Sequence, residues 1–292
     1  MCAPSIAVWL RVRTVKNLKG RTDMAPSTQA GQFVRSADGT AIGFDVLGAG
    51  GPPLIMASGA FNTRTTTEPL ARALANRFTV SNYDRRGRGE SGDTPPYAVE
   101  REIEDIDALI TAAGGRAALF GYSSGATLAL KAAAHGLAIS KLVLYDPSFV
   151  VDESMSPLPA DLPEQLATLV KADRRGDAVE LFQTRVIGMP EAVVAQMRDA
   201  PFRPAMEAIA HTLAYESILI GDLRLPPDLL PAISSPTLVI TGENSPPVLQ
   251  AAAHAVADGL AHGRLVVLDG QSHDISPEET AAVVREFLAG EK

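Results

Sequence analysis

Gly121-Tyr122-Ser123-Ser124-Gly125 constrains this chain more than any other stretch. An apolar run, Ala117-Ala118-Leu119-Phe120, precedes it, and an alanine-rich helical stretch, Ala126 to His135, follows. The pattern reads as a strand that turns sharply into a helix at a serine between two glycines. Without a Cβ at 121 and 125, strand and helix can crowd together while Ser123 holds a strained backbone. Such a bend pushes the Ser123 hydroxyl into the open and leaves the Ser124 N–H aimed at the place where an oxyanion would form. The five letters alone are weak evidence in a chain rich in Gly, Ser and Ala. The strand–turn–helix setting gives them weight.

Around this turn the sequence alternates between two periods. Strands are expected at Phe33–Ser36, Ile42–Leu47, Leu54–Ser58, Thr79–Tyr83, Ala117–Tyr122, Lys141–Asp146, Thr237–Thr241 and Arg264–Leu268. The later ones are short continuous apolar runs, as in parallel strands buried on both faces. Helices are expected at Glu68–Asn76, Val99–Ala113, Ser124–His135, Val248–Leu260 and Pro277–Leu288. Asp38-Gly39 joins the first two strands as a hairpin. The sheet should therefore begin antiparallel and continue as right-handed βαβ units, giving a mostly parallel eight-stranded α/β fold. From 151 to 232 there is helical periodicity without a convincing strand, bounded by proline clusters. This segment is expected to be a helical cap inserted after the sixth strand, between core segments 31–150 and 233–292.

Composition bounds the function. With 292 residues, 46% of them hydrophobic, the chain can build one large core plus a small insertion. The formal net charge of −8 and the absence of a basic stripe with interleaved aromatics argue against nucleic acid. A single cysteine, Cys2, leaves no intrachain disulfide and is compatible with a reducing compartment, so a cytoplasmic setting is expected. The apolar patch Ile6–Leu10 is too short to span a membrane, and its basic residues follow it rather than precede it. Residues 1–30 are expected to form a disordered tail. A small-molecule substrate is the expected partner, and the oligomeric state stays open.

A serine hydroxyl needs a base to become a nucleophile. Of the five histidines, His273 stands apart, in Gly270-Gln271-Ser272-His273-Asp274 between the last strand and the last helix. A loop at a strand's C-terminal end can bring an imidazole to the serine. His135 and His254 sit in helices, His262 in a turn, and His211 in the helical insertion, where packing is the simpler role.

At this point the chain resembles the α/β-hydrolase superfamily, among its lid-bearing small-molecule esterases, over about residues 33–289. The resemblance also rests on Asn82-Tyr83-Asp84-Arg85-Arg86-Gly87-Arg88-Gly89-Glu90-Ser91, similar to the Asp-x-Arg-Gly-x-Gly-x-Ser stretch of many members. It implies Ser123 as nucleophile and His273 as base. Asp84, Arg86, Gly87, Gly89 and Ser91 would form a structural turn. Without the family, Arg85, Arg86 and Arg88 could be read as an anion clamp.

The acid departs from the common pattern. Members often carry Gly-x-x-Asp after the strand that follows the cap, but here the loop reads Gly242-Glu243-Asn244-Ser245. Neither Asn244 nor Ser245 can bear the charge that steadies an imidazolium. Asp146, at the end of the sixth strand, resembles the acid of members such as haloalkane dehalogenases, and it preserves the order Ser123, Asp146, His273. Glu243, or no acid at all, is the alternative. Two backbone donors would hold an oxyanion: the Ser124 N–H and, in the Ser58-Gly59-Ala60-Phe61 loop, the Ala60 N–H. Pocket walls are expected from Phe61, Tyr122, Phe149, Met189 and Tyr215. The expected chemistry is ester or related acyl hydrolysis through an acyl-enzyme, with no metal or organic cofactor. The same machinery could serve lactone or carbon–carbon hydrolysis, acyl transfer or perhydrolysis, or be retained in a non-catalytic ligand-binding protein.

Overall fold

In the computed structural model, residues 28–153 and 155–290 are described. The eight strands are β1 (Thr28–Arg35), β2 (Ala41–Leu47), β3 (Pro53–Ala57), β4 (Thr79–Tyr83), β5 (Ala117–Tyr122), β6 (Ile139–Tyr145), β7 (Thr237–Gly242) and β8 (Gly263–Leu268). They form one sheet in the order β1-β2-β4-β3-β5-β6-β7-β8. β1 and β2 are antiparallel, as are β2 and β4, and every pairing from β4 onward is parallel. At the first hairpin Gly39 N donates to Ser36 O at 2.9 Å, and Asp38 accepts from Thr40 N at 2.9 Å. Gly39 supplies the φ of +84° that the tight turn demands. The expected tail lies largely outside the described residues, but 28–30 already belong to β1, which pairs with β2 from Thr28 onward.

Strand side chains alternate between two apolar layers, as period-two geometry requires. Along β3, Leu54 and Met56 enter one layer, while Ile55 and Ala57 enter the other. Helices α1 (Arg64–Leu74) and α10 (Pro277–Ala289) cover the first layer. Helices α2 (Val99–Ala112), α3 (Ser124–Ala134) and α9 (Pro247–Gly259) cover the second. α1 begins before the apolar periodicity does. Thr63 makes no side-chain cap bond, and the Arg64 N–H is instead capped by Asp84 Oδ1 at 2.8 Å, from a residue remote in sequence.

Between β6 and β7 run α4 (Leu162–Lys171), α5 (Arg175–Arg185), α6 (Glu191–Gln196), α7 (Arg203–Ala208) and α8 (Thr212–Ile220), with no named strand among the described residues. They share a small apolar cluster of their own, including Leu166, Phe182 and Leu213. Where this segment leaves and returns, Val150 N donates to Leu223 O at 2.8 Å and Val150 bridges Arg224. Entry and exit are thus clasped at one point.

The strand order places the site. From β3 the chain passes to β4 on one side, then crosses β3 to reach β5 on the other. The loops after β3 and β5 therefore diverge to opposite faces, leaving a crevice at the strand C-termini. Glycines let the segments meet there. A Cβ on Gly125 would lie 2.4 Å from Ala57 O and 2.6 Å from Ser58 O. The Gly125→Ala variant is accordingly expected to lose about 1–3 kcal/mol through overpacking against backbone that cannot yield. Urea unfolding checks this as a lowered midpoint at unchanged slope.

Candidate active site

β5 ends at Tyr122, and Ser123 takes φ 57°, ψ −123° before α3 begins. A non-glycine residue in such a region costs on the order of 1–3 kcal/mol, so its surroundings must impose it. The Ser123 N–H donates to Tyr145 O at 2.9 Å, and its carbonyl accepts from Ala126 N at 2.8 Å. A Cβ on Gly121 would lie 2.5 Å from Gly125 O, so strand and helix touch at the turn. The Ser123 Oγ lies 3.3 Å from Ser148 Oγ.

Asp146, the first residue after β6, also has positive φ (47°), and its N–H is held by Ile240 O at 2.9 Å. Its carboxylate is wholly buried. Oδ1 accepts from Thr241 Oγ1 at 2.6 Å, and Oδ2 accepts from Ser245 Oγ at 2.7 Å and lies 2.9 Å from His273 Nδ1. A buried charge persists only when so partnered. Glu243, the rival carboxylate, instead accepts from Gly270 N at 2.8 Å. Thr241 and Ser245 did not emerge from the sequence as site residues. Ser245, standing where an aspartate was sought, donates to the aspartate that lies across from it.

The His273 loop hangs from the sheet edge. Tyr145 OH donates to Ser272 O at 2.7 Å, Tyr122 OH to His273 O at 3.0 Å, and Asn244 N to Gln271 O at 2.7 Å. Burial pushes both phenols above their ordinary range, so they remain protonated donors at neutral pH.

Ser123 and His273 line one cavity of about 260 Å³, together with Ala60, Ser124 and Ser148. Phe61, Tyr122 and Phe149 also line it. Met189 and Tyr215 do not. Tyr215 stacks on Tyr97 at 4.3 Å and donates to Asp93 at 2.7 Å, while Met189 is buried away from the cavity. Their places are taken by Met155 and by Phe182, Val186 and Ile187 at the C-terminal end of α5. His211 lies outside the lining. Among the described residues, none that lines the cavity is Asp, Glu, Lys or Arg. Among the described residues no group of three or more His, Cys, Asp or Glu side chains is arranged to hold a metal ion, and no helix is long and apolar enough to cross a membrane.

Behind the cavity lies a buried ionic cluster. Arg85 makes a two-pronged pair with Glu102 (Nε to Oε2 and Nη2 to Oε1, both 2.6 Å) and reaches Glu216 Oε1 with Nη1 at 2.6 Å. Arg88 Nη2 also bonds Glu216, while its Nη1 donates to Gly59 O at 2.6 Å and Asn62 O at 3.2 Å. Arg86 pairs with Asp105 and Asp38. Each guanidinium is engaged by carboxylates, so the cluster is a scaffold and not an anion clamp. Asp84 accepts from Arg64 and Glu90 N, and Ser91 Oγ donates to Asp84 O, closing the expected turn.

Burial alone would raise Glu102, but the Arg85 cation and its hydrogen bonds hold the carboxyl below its ordinary 4.5. A carboxyl depressed by folding stabilises the protein fully above its unfolded value and loses that contribution as pH falls through the folded one. Unfolding free energy should therefore decline on acidification below about 4.5, and Glu102→Gln should flatten that decline while lowering stability at pH 7. Urea titrations from pH 3 to 7 measure both; an unchanged acid slope in the variant would remove Glu102 from the account.

The geometry defines a class. The chain matches the alpha/beta hydrolase family over residues 48–286, and it belongs to that family. The crystal structure of an alpha/beta hydrolase from Sphaerobacter thermophilus is 49% identical, with a TM-score of 0.83 over 88% of this chain and 100% of that one. A 2-(acetamidomethylene)succinate hydrolase from Mesorhizobium japonicum is 29% identical over 91% of this chain and 99% of its own length. A pimeloyl-[acyl-carrier protein] methyl ester esterase from Xanthomonas oryzae is 29% identical, covering 78% of this chain and 90% of its own. The protein is an α/β-fold hydrolase.

Proposed function

We propose that the protein is a serine esterase that cleaves a small, uncharged, largely apolar ester through an acyl-enzyme. The observation that carries this reading is the 2.9 Å approach of His273 Nδ1 to the buried Asp146 carboxylate, on the rim of the cavity that Ser123 also lines. With Asp146 holding the Nδ1 proton, His273 Nε2 is free to accept the proton of Ser123 as its Oγ attacks the ester carbonyl. The N–H groups of Ala60 and Ser124 receive the resulting oxyanion. His273 then protonates the leaving alcohol. Water, deprotonated by His273, attacks the acyl-enzyme and releases the acid and free Ser123. The helical segment 151–232 acts as a cap, with α5 supplying apolar wall to the cavity.

Charge selects the acyl group. The Mesorhizobium relative is named for a succinate derivative. Among the described residues no Lys or Arg lines the cavity, and burying an unpaired carboxylate costs several kcal/mol. The named methyl ester esterase is the nearer analogue in reaction type. A volume of about 260 Å³ is below the roughly 300–1,000 Å³ of pockets that hold drug-sized ligands. Short acyl chains fit that space.

Short-chain p-nitrophenyl esters should be hydrolysed, with kcat/KM falling as the acyl chain lengthens and falling at least about 100-fold when its far end carries a carboxylate. A fluorophosphonate probe should label the wild type and spare Ser123→Ala. Absence of both turnover and labelling in the wild type overturns the reading. Asp146→Asn should lower kcat by about four orders of magnitude because the imidazole loses its orienting charge and tautomer. Near-normal turnover in that variant would dismiss Asp146 as the acid.

A further inference from the structure

We infer that Arg88 is a positioning residue for the oxyanion site, acting through the peptide group that joins Gly59 to Ala60, and that Glu216 on α8 holds it in place. The inference rests on the reading of Ala60 N–H as an oxyanion donor.

The Gly59 carbonyl and the Ala60 N–H belong to one planar trans peptide and therefore point in opposite directions. Arg88 Nη1 binds the carbonyl end at 2.6 Å. Fixing that end onto a buried cation fixes the N–H end in the opposite sense. Ala60 lines the cavity, and among the described residues no protein group accepts from its N–H. The peptide also lies against the nucleophile, since a Cβ on Gly59 would be 2.8 Å from Ser123 Cβ.

The neighbouring carbonyls turn the same way. Ser58 O accepts from Arg85 Nη1 at 3.3 Å and Asn62 O from Arg88 Nη1 at 3.2 Å, while Asn62 Nδ2 ties back Ala60 O at 2.8 Å. Three of the five carbonyls from Ser58 to Asn62, those of Ser58, Gly59 and Asn62, thus face the guanidinium pair. A cation on the carbonyl also draws electron density from the amide, which makes its N–H a better donor; hydrogen bonds in series strengthen each other by perhaps 10–30%, and charge-assisted ones are about twice as strong as neutral ones.

The pattern of Arg88's bonds fits this task better than simple pairing. A pair built for stability would be two-pronged, as Arg85–Glu102 is. Arg88 divides its fork between Glu216 and the loop, leaving its Nε and Glu216 Oε2 buried without partners among the described residues. Burial and the adjacent Arg85 cation both disfavour charge on Arg88, and Glu216 opposes them. Glu216 belongs to the helical insertion, so that segment reaches the oxyanion loop through two side chains.

The test compares wild type, Arg88→Met, Arg88→Lys and Glu216→Gln, with active sites counted by fluorophosphonate titration. Per titrated site, Arg88→Met should lower kcat on p-nitrophenyl acetate by about 10- to 100-fold, less than the 10²–10³ typical when a whole oxyanion donor is removed. KM should stay within about threefold. Binding of a trifluoromethyl ketone, whose serine adduct carries an oxyanion, should weaken by the same factor as kcat/KM. Arg88→Lys should restore part of both, and Glu216→Gln should show a smaller loss in the same sense. A structural role alone would lower the number of titratable sites and leave per-site constants unchanged, and that result overturns the inference while leaving the esterase reading intact. A raised KM at constant kcat overturns it as well. If Arg88→Met does not fold, the Lys and Gln variants decide by the same two criteria. A wild type without turnover or labelling removes both readings together.

Discussion

The buried carboxylate of Asp146 is the interaction around which the strand C-termini are organised. An unpaired carboxylate in an apolar interior would cost many times what one hydrogen bond returns, so its surroundings must supply donors. They come from three places: Thr241 on β7, Ser245 in the turn that follows, and His273 beyond β8. One oxygen pair thus ties together the ends of β6 and β7 and the loop that precedes α10. The His273 loop is held by this charge, by two phenols donating to its backbone carbonyls and by Asn244 N donating to Gln271 O.

A second buried charge group does comparable work on the other side of Ser123. Arg85 and Arg88 from the turn after β4 meet Glu102 of α2 and Glu216 of α8. Two cations face two carboxylates, and hydrogen bonds from the same guanidiniums extend to the loop after β3. Replacing such a cluster with apolar side chains can leave stability unchanged or raise it. Its presence here makes physical sense as a device that orients backbone, since a guanidinium reaches carbonyls in directions no apolar contact could dictate. The serine turn therefore sits between two polar anchors, in an otherwise apolar crevice opened by the strand order.

Much of this was legible in the sequence. Buried parallel strands announce themselves as continuous apolar runs, and each expected strand is present, seven of them within two residues of their expected bounds and β1 starting five residues earlier than expected. The glycines at 121 and 125 carried a steric meaning that the contacts with Gly125 O and Ala57 O bear out. Asp146 is favoured over Glu243 by its resemblance to the acid that some members carry at the end of the sixth strand and by the order Ser123, Asp146, His273, and it is the carboxylate that lies 2.9 Å from His273 Nδ1. The start of α1 was not legible, because its N-terminal cap comes from Asp84 and not from a neighbouring residue. Nor was the whole pocket wall: Met189 falls in the loop between α5 and α6 and Tyr215 of α8 turns to Tyr97 and Asp93, while Phe182 of α5 faces the cavity.

The sequence by itself determined the alternation of strands and helices and the strained serine bend, because these are written in local periodicity and in the steric demands of glycine; the candidate acid and base came from chain order together with the resemblance to a known family. Tertiary structure alone decided which partners those groups acquire. Ser245 donating to Asp146, Glu216 pairing with Arg85 and Arg88, and Phe182 closing the cavity all join residues from separate elements. Side-chain hydrogen bonds and contacts act over a few ångströms, so such pairings exist only once the crossovers of the sheet have brought distant segments together.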